Sequence, residues 1–111
     1  MNEALDLVFN YNRKIVESNI CNDKFENMKK NIELLKENPE TKPIADSMGS
    51  SVTIMQEKVE VLSKEREELK EDLLNKVSTL NDTDKEELFK YLETYSKNDP
   101  TYQTIYNELK D

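Results

Sequence analysis

Between Ala45 and Leu80 a line of apolar residues runs through Ala45, Met48, Val52, Met55, Val59, Leu62, Leu69, Leu73 and Leu80, alternately three and four apart once Arg66 and Lys76 are counted in the line. A stripe of that period holds one side of an α-helix to a partner over about five heptads, which constrains this chain more than any other feature does. Val52, Val59, Arg66, Leu73 and Leu80 occupy the first core position, and Met48, Met55, Leu62, Leu69 and Lys76 the second. β-branched residues ahead of Leu favour two-stranded coiled coils. Arg66 and Lys76 are exceptions, and in a dimer their stems can lie along the seam while the charged heads reach water. The expected seam between two copies is Val52, Met55, Val59, Leu62, Leu69 and Leu73.

The rest of the chain reads as helix too. One Gly in 111 residues, few β-branched runs and abundant Glu, Lys and Leu leave little for turns or strands. Residues 2–20 carry Leu5, Val8, Phe9, Asn12, Ile15, Val16 and Ile20 at helical spacing, and the next segment carries Cys21, Phe25, Met28, Ile32 and Leu35. At 100° per residue these two stripes are centred on nearly opposite sides, which a break near residues 20–23 resolves. Asn22 and Asp23 are available as caps, and Glu26 completes a capping box with Asp23. The alternative is one unbroken helix gripped on both sides.

The run Asn38-Pro39-Glu40-Thr41-Lys42-Pro43 is a stop, since each Pro removes a donor and pushes its predecessor out of the helical region. Gly49-Ser50-Ser51 is a weak point at which the long helix could restart, leaving 52–79 as its secure part. Thr83 with Glu86 repeats the capping-box spacing ahead of Leu88, Tyr91, Leu92 and Tyr95. Asn98-Asp99-Pro100 then supplies a cap and a Pro at the first helical position, ahead of Tyr102, Ile105, Tyr106 and Leu109. The sequence therefore predicts a single all-α domain over 1–111, with helices at 2–20, 23–38, 44–80, 84–97 and 100–110. A helix over 44–80 would run about 55 Å, against a radius of gyration of about 13 Å for a compact domain of this size. Segment 23–38 can fold back on its first half as a helical hairpin. The second half needs the tail helices or another chain, and a homodimer is the expected solution.

Function is bounded from several sides. With no His and one Cys there is no Cys-His pair, no Ser-His-carboxylate set and no His- or Cys-based metal site, and the lone Gly49 gives no Gly-rich phosphate loop. The expectation is no enzyme, no cofactor and no metal. A net charge of −8 opposes direct binding to nucleic acid or an anionic membrane. Glu3 and Asp6 ahead of the short patch Leu7-Val8-Phe9 do not make a secretory signal, no window is long and apolar enough to span a membrane, and lone Cys21 cannot form an internal disulfide. A cytoplasmic setting is expected.

Two groups remain as candidate partner-binding residues. Glu60, Glu67, Glu68 and Glu71, with Glu57, fall on the outer face of the long helix, interrupted by Lys64. Such a face keeps a helix soluble, or else engages a basic partner, including a groove built for DNA or RNA. Five of the eight aromatics, Phe89, Tyr91, Tyr95, Tyr102 and Tyr106, lie in the last 23 residues. They either complete the core or form a binding hot spot, with Tyr91 on the flank of its stripe as the most exposed. The function expected is a small acidic protein–protein interaction module that regulates, adapts or inhibits a partner protein. An acidic nucleic-acid mimic that inhibits a DNA- or RNA-binding enzyme, and a structural or assembly coiled coil, are the alternatives.

Overall fold

The structure is a computed structural model describing residues 2–110. Its regular elements are α1 (Asn2–Glu37), α2 (Lys42–Ser47), α3 (Gly49–Thr79), α4 (Asp82–Ser96) and α5 (Pro100–Lys110), with no strand among the described residues.

The expected break at residues 20–23 is absent, and α1 runs unbroken from Asn2 to Glu37. The reason lies in which residues are buried. The line on α1 runs through Ala4, Val8, Tyr11, Ile15 and Ser18 and on through Cys21, Phe25, Met28, Ile32 and Leu35, always three or four apart. Phe9, Val16 and Ile20, which the expected first stripe contained, lie off that line and are exposed. With the line correctly placed, the two halves no longer conflict. Asn22 and Asp23 are solvent-facing residues inside the helix rather than caps, at a cost in helix propensity of a few tenths of a kcal/mol each.

The Pro-rich stop works as predicted. Asn38 O accepts from the N–H groups of Thr41 and Lys42, both at 3.0 Å, and Thr41 Oγ1 donates to Leu35 O at 2.6 Å, so carbonyls at the end of α1 are satisfied. The helix expected over 44–80 is divided. Pro43 sits in the first turn of the short α2, the Met48 N–H bonds back to Ala45 and Asp46, and α3 begins at Gly49, within the predicted weak point. α4 starts two residues ahead of the expected 84 because Asn81, not Thr83, is its cap, with Asn81 Oδ1 accepting from the Asp84 N–H at 2.8 Å. α5 starts where expected, the Thr101 N–H donating to Asp99 Oδ1 at 3.0 Å and Pro100 following the cap.

The chain divides into two compact units, residues 17–64 forming one and the segments on either side of them the other. In the first-and-last unit, the beginning of α1, the end of α3, α4 and α5 enclose a core of Ala4, Val8, Tyr11, Ile15, Leu73, Val77, Leu88, Leu92 and Ile105. Each fully buried Leu or Ile there contributes about 1.5–3 kcal/mol. α1 and α3 are antiparallel in this unit: Glu3 pairs with Lys76 at 2.7 Å and Lys14 with Glu65 at 2.6 Å, eleven residues forward on one helix matching eleven back on the other. Thr101 Oγ1 also hydrogen-bonds Asn12.

The 17–64 unit is a helical hairpin, made from the end of α1, the short α2 and the start of α3. Its interior is thin. Ser18, Cys21, Ile32, Ala45 and Leu62 are buried, while Phe25, Met28, Leu35, Met48, Val52, Met55 and Val59 are half-buried. Cys21 Sγ contacts Met55 Sδ at 3.6 Å across the hairpin.

Candidate functional site

The heptad line of α3 faces α1 within the same chain. In the unit of four helical segments Leu73 is fully buried in the core and Leu69 packs against it. In the hairpin Leu62 is buried, Met55 meets Cys21, and Val52 shares a groove with Ile32 and Ala45, with Val59 half-buried. Within each unit, therefore, the residues expected at a seam between copies lie on the side of α3 that faces α1. The two charged positions in the line are accounted for in the same way. Lys76 pairs with Glu3, holding the Glu3 carboxyl below its usual range, and Arg66 lies beside the Tyr11 hydroxyl.

Tyr11 is a core residue that the sequence reading missed. It is 1% exposed, and its hydroxyl donates to Glu108 Oε2 at 2.5 Å. Burial raises its pKa, the hydrogen bond to Glu108 and that residue's charge add to the effect, and Arg66 opposes it. The group ties α1 to α5 as a neutral donor.

The C-terminal aromatics pack on one another and on α1. Tyr95 lies at the centre, with its ring 5.8 Å from Phe9 edge-on, 5.2 Å from Tyr102 and 6.4 Å from a stacked Tyr91. Phe89 and Tyr106 form a second edge-to-face pair at 5.6 Å, and Tyr106 donates to Glu93 Oε1 at 3.2 Å. Tyr95, Tyr102 and Tyr106 are half-buried, burial raises the pKa of Tyr102, and Tyr91 at 39% is the most exposed. Three of the four candidate tyrosines thus serve the fold, and Tyr91 ends the stack at the surface.

The carboxylates lie as the heptad frame placed them. Glu57, Glu60, Glu67, Glu68 and Glu71 are all exposed, and Asp72 with them. The acidity itself is uneven. The hairpin unit carries nine acidic and seven basic side chains, net −2, and the other unit fifteen and nine, net −6.

One surface was not anticipated. In the hairpin Ile20, Leu34, Ile44, Ile54 and Val61 are each more than half exposed. Ile20 borders a groove of about 330 Å³ whose floor is Cys21, Met55 and Leu62 and whose lips carry Lys24 from α1 and Lys58 from α3. Ile54 and Val61 are seven residues apart with Lys58 between them at helical spacing, which puts all three on that flank of α3. Aliphatic residues lying off a heptad line at an i, i+7 interval were the signal for this surface in the sequence. Among the described residues no group of three His, Cys, Asp or Glu side chains is placed to hold a metal ion, and no helix is long and apolar enough to cross a membrane. Comparison with known proteins returns no match: no family model fits the chain, and no curated sequence or solved structure is significantly similar to it.

Proposed function

We propose that this chain is a small protein–protein interaction module, a helical regulator, adaptor or inhibitor that works by binding another protein chain in the cytoplasm. The observation that carries the reading is the set of five large aliphatic side chains left more than half exposed on the hairpin unit. Isolated exposed aliphatics are ordinary, but five on one hairpin unit, with Ile20 on the lip of a groove and Ile54 and Val61 on the flank of α3 beside it, mark a surface that gains from being covered. The free, buried thiol of Cys21 suits a reducing compartment.

The test is capture by the tagged chain from nuclease-treated lysate of its native host, washed at low and then high salt, beside an Ile54→Glu, Val61→Glu double variant. Retention of a partner through the high-salt wash by the parent, and its loss in the variant, is the expected result. A partner held equally by both would remove the hairpin from the interface.

A second reading has its own observation. Glu67, Glu68, Glu71 and Asp72 are exposed on one stretch of α3 and make no ion pair among the described residues, in the more acidic unit. That supports an acidic surface able to occupy a basic groove meant for nucleic acid. It predicts binding that fades at a few hundred millimolar salt, where the Debye length falls to about 5 Å, and that is abolished by Glu→Lys at 67, 68 and 71. An assembly coiled coil, the remaining alternative, predicts mass beyond a dimer as concentration rises.

A further inference from the structure

We propose that a second copy of this chain seats on the open side of the 17–64 hairpin, so that two hairpins form a four-helix bundle. The inference deepens the interaction reading by naming one occupant of the same surface, and it rests on that reading.

Helix number comes first. Where four helical segments meet, in the other unit, nine residues form a closed core. In the hairpin two long segments cover each other along one line, and Met28 and Met55 on that line stay half-buried. A helix pair has no second layer to complete the seal, and two more helices of matching length supply it. The copy's own hairpin offers such a pair, because residues 17–37 and 49–64 span roughly 31 and 24 Å at 1.5 Å per residue.

The flank that would receive it centres on the groove. Ile20 and Lys24 on α1 face Lys58 on α3 across the groove, with Ile54 and Val61 one turn to either side of Lys58. Leu34 follows Ile20 by fourteen residues, which returns to nearly the same side of α1. These four aliphatic residues expose on the order of 400 Å² in each copy, and with the groove floor and the lysine stems a two-fold pairing would bury on the order of 1,000 Å², the lower bound for a specific interface.

Charge selects this unit for self-association. Two copies meeting through the unit of net −6 would repel each other, whereas the hairpin, at net −2 with both signs interspersed, presents almost no such barrier. The proposed interface also differs from the heptad seam: the residues between copies are Ile20, Leu34, Ile54 and Val61, while Leu62 and Leu73 remain within each chain.

The experiment is sedimentation equilibrium of the full chain over roughly 1–200 µM, with affinity in the micromolar range expected for an interface of this size. The expected result is a monomer–dimer equilibrium approaching twice the 13.1 kDa chain mass, insensitive to added salt. Ile54→Glu with Val61→Glu should weaken it at least 100-fold, and the milder Ile20→Gln about 10-fold, with helicity by circular dichroism unchanged because all three side chains are exposed. Leu74→Glu, on the other unit, should leave the dimer intact. A monomer throughout that range, or a dimer that survives the double variant, overturns the proposal. If the chain is monomeric yet captures a different protein through Ile54 and Val61, the second copy is refuted and the interaction reading stands. If it dimerises as described and captures nothing else, the second copy stands and the regulator reading falls.

Discussion

Tyr11→Phe isolates one hydroxyl at the centre of the four-segment unit. The ring stays in the core and only the bond to Glu108 Oε2, at 2.5 Å, is removed. A hydrogen bond to a charged acceptor contributes about 1.5–3 kcal/mol, but Glu108 is only half-buried and regains water, so the loss falls at or below the low end, about 1–1.5 kcal/mol. That corresponds to a drop in the thermal midpoint of about 5 °C for a chain of this size. The pH dependence sharpens the test. The folded-state pKa of Tyr11 is raised from 10.0, mainly by burial, so the folded chain holds a proton that the unfolded chain releases once pH exceeds about 10. The contribution is therefore complete below pH 10 and is lost above it. Urea unfolding followed by circular dichroism, run on both proteins from neutral pH upward, should give a constant gap to about pH 10. The gap should then narrow by up to about 1.4 kcal/mol per pH unit, the lysines cancelling because both proteins contain them. A gap that stays constant to about pH 11, or no gap at neutral pH, would refute the assignment of Tyr11 as a buried neutral donor.

Other substitutions test the remaining elements. Lys24→Pro should cost about 3 kcal/mol, because residue 24 lies inside α1; a helix starting after Asp23 would accept Pro there at little cost, so denaturant midpoints decide between the two. Leu73→Ala, at a site with no exposure, should cost about 3–4 kcal/mol in the same assay. Asn81→Ala removes the acceptor for the Asp84 N–H and should cost about 1 kcal/mol, whereas Thr83→Ala should change stability by less than about 0.5 kcal/mol.

Those contrasts mark where the sequence was legible. On α3 hydrophobic period and burial agree at Leu62 and Leu73, with Val52, Val59 and Leu69 half-buried, although the frame placed Lys76 in the line and passed over the buried Val77. On α1 they diverge. Ala4 and Ser18 are small and Tyr11 carries a hydroxyl, so a count of large apolar residues passes over three members of the buried line and settles on Phe9, Val16 and Ile20 instead. Small residues allow close helix approach and a tyrosine is satisfied by its Glu108 bond, and neither effect registers in hydrophobicity. The Pro-marked stop and the Asp99 cap were readable because their chemistry is local. The outer Glu residues were readable as exposed, and Tyr91 as the most exposed of the tyrosines. What the heptad could not specify was which helix covers it, since the three–four spacing is the same whether the facing helix belongs to the same chain or to another.

The division of the chain also bears on the order in which it folds. One unit is discontinuous in sequence, and its Tyr11–Glu108 bond joins residues 97 apart, with the whole 17–64 segment looped out between its two parts. Closing a flexible loop of that length costs about 2 kcal/mol more entropy than closing one of a few residues. The hairpin, by contrast, closes through the short turn after Glu37, a local event on the microsecond scale of helix pairing. Once formed, it turns the long loop into a short connection and removes most of that entropic cost. The early fold of the middle of the chain is then what lets its beginning find its end, and lesions near the Pro39–Pro43 turn should slow assembly of a core to which they contribute no side chain.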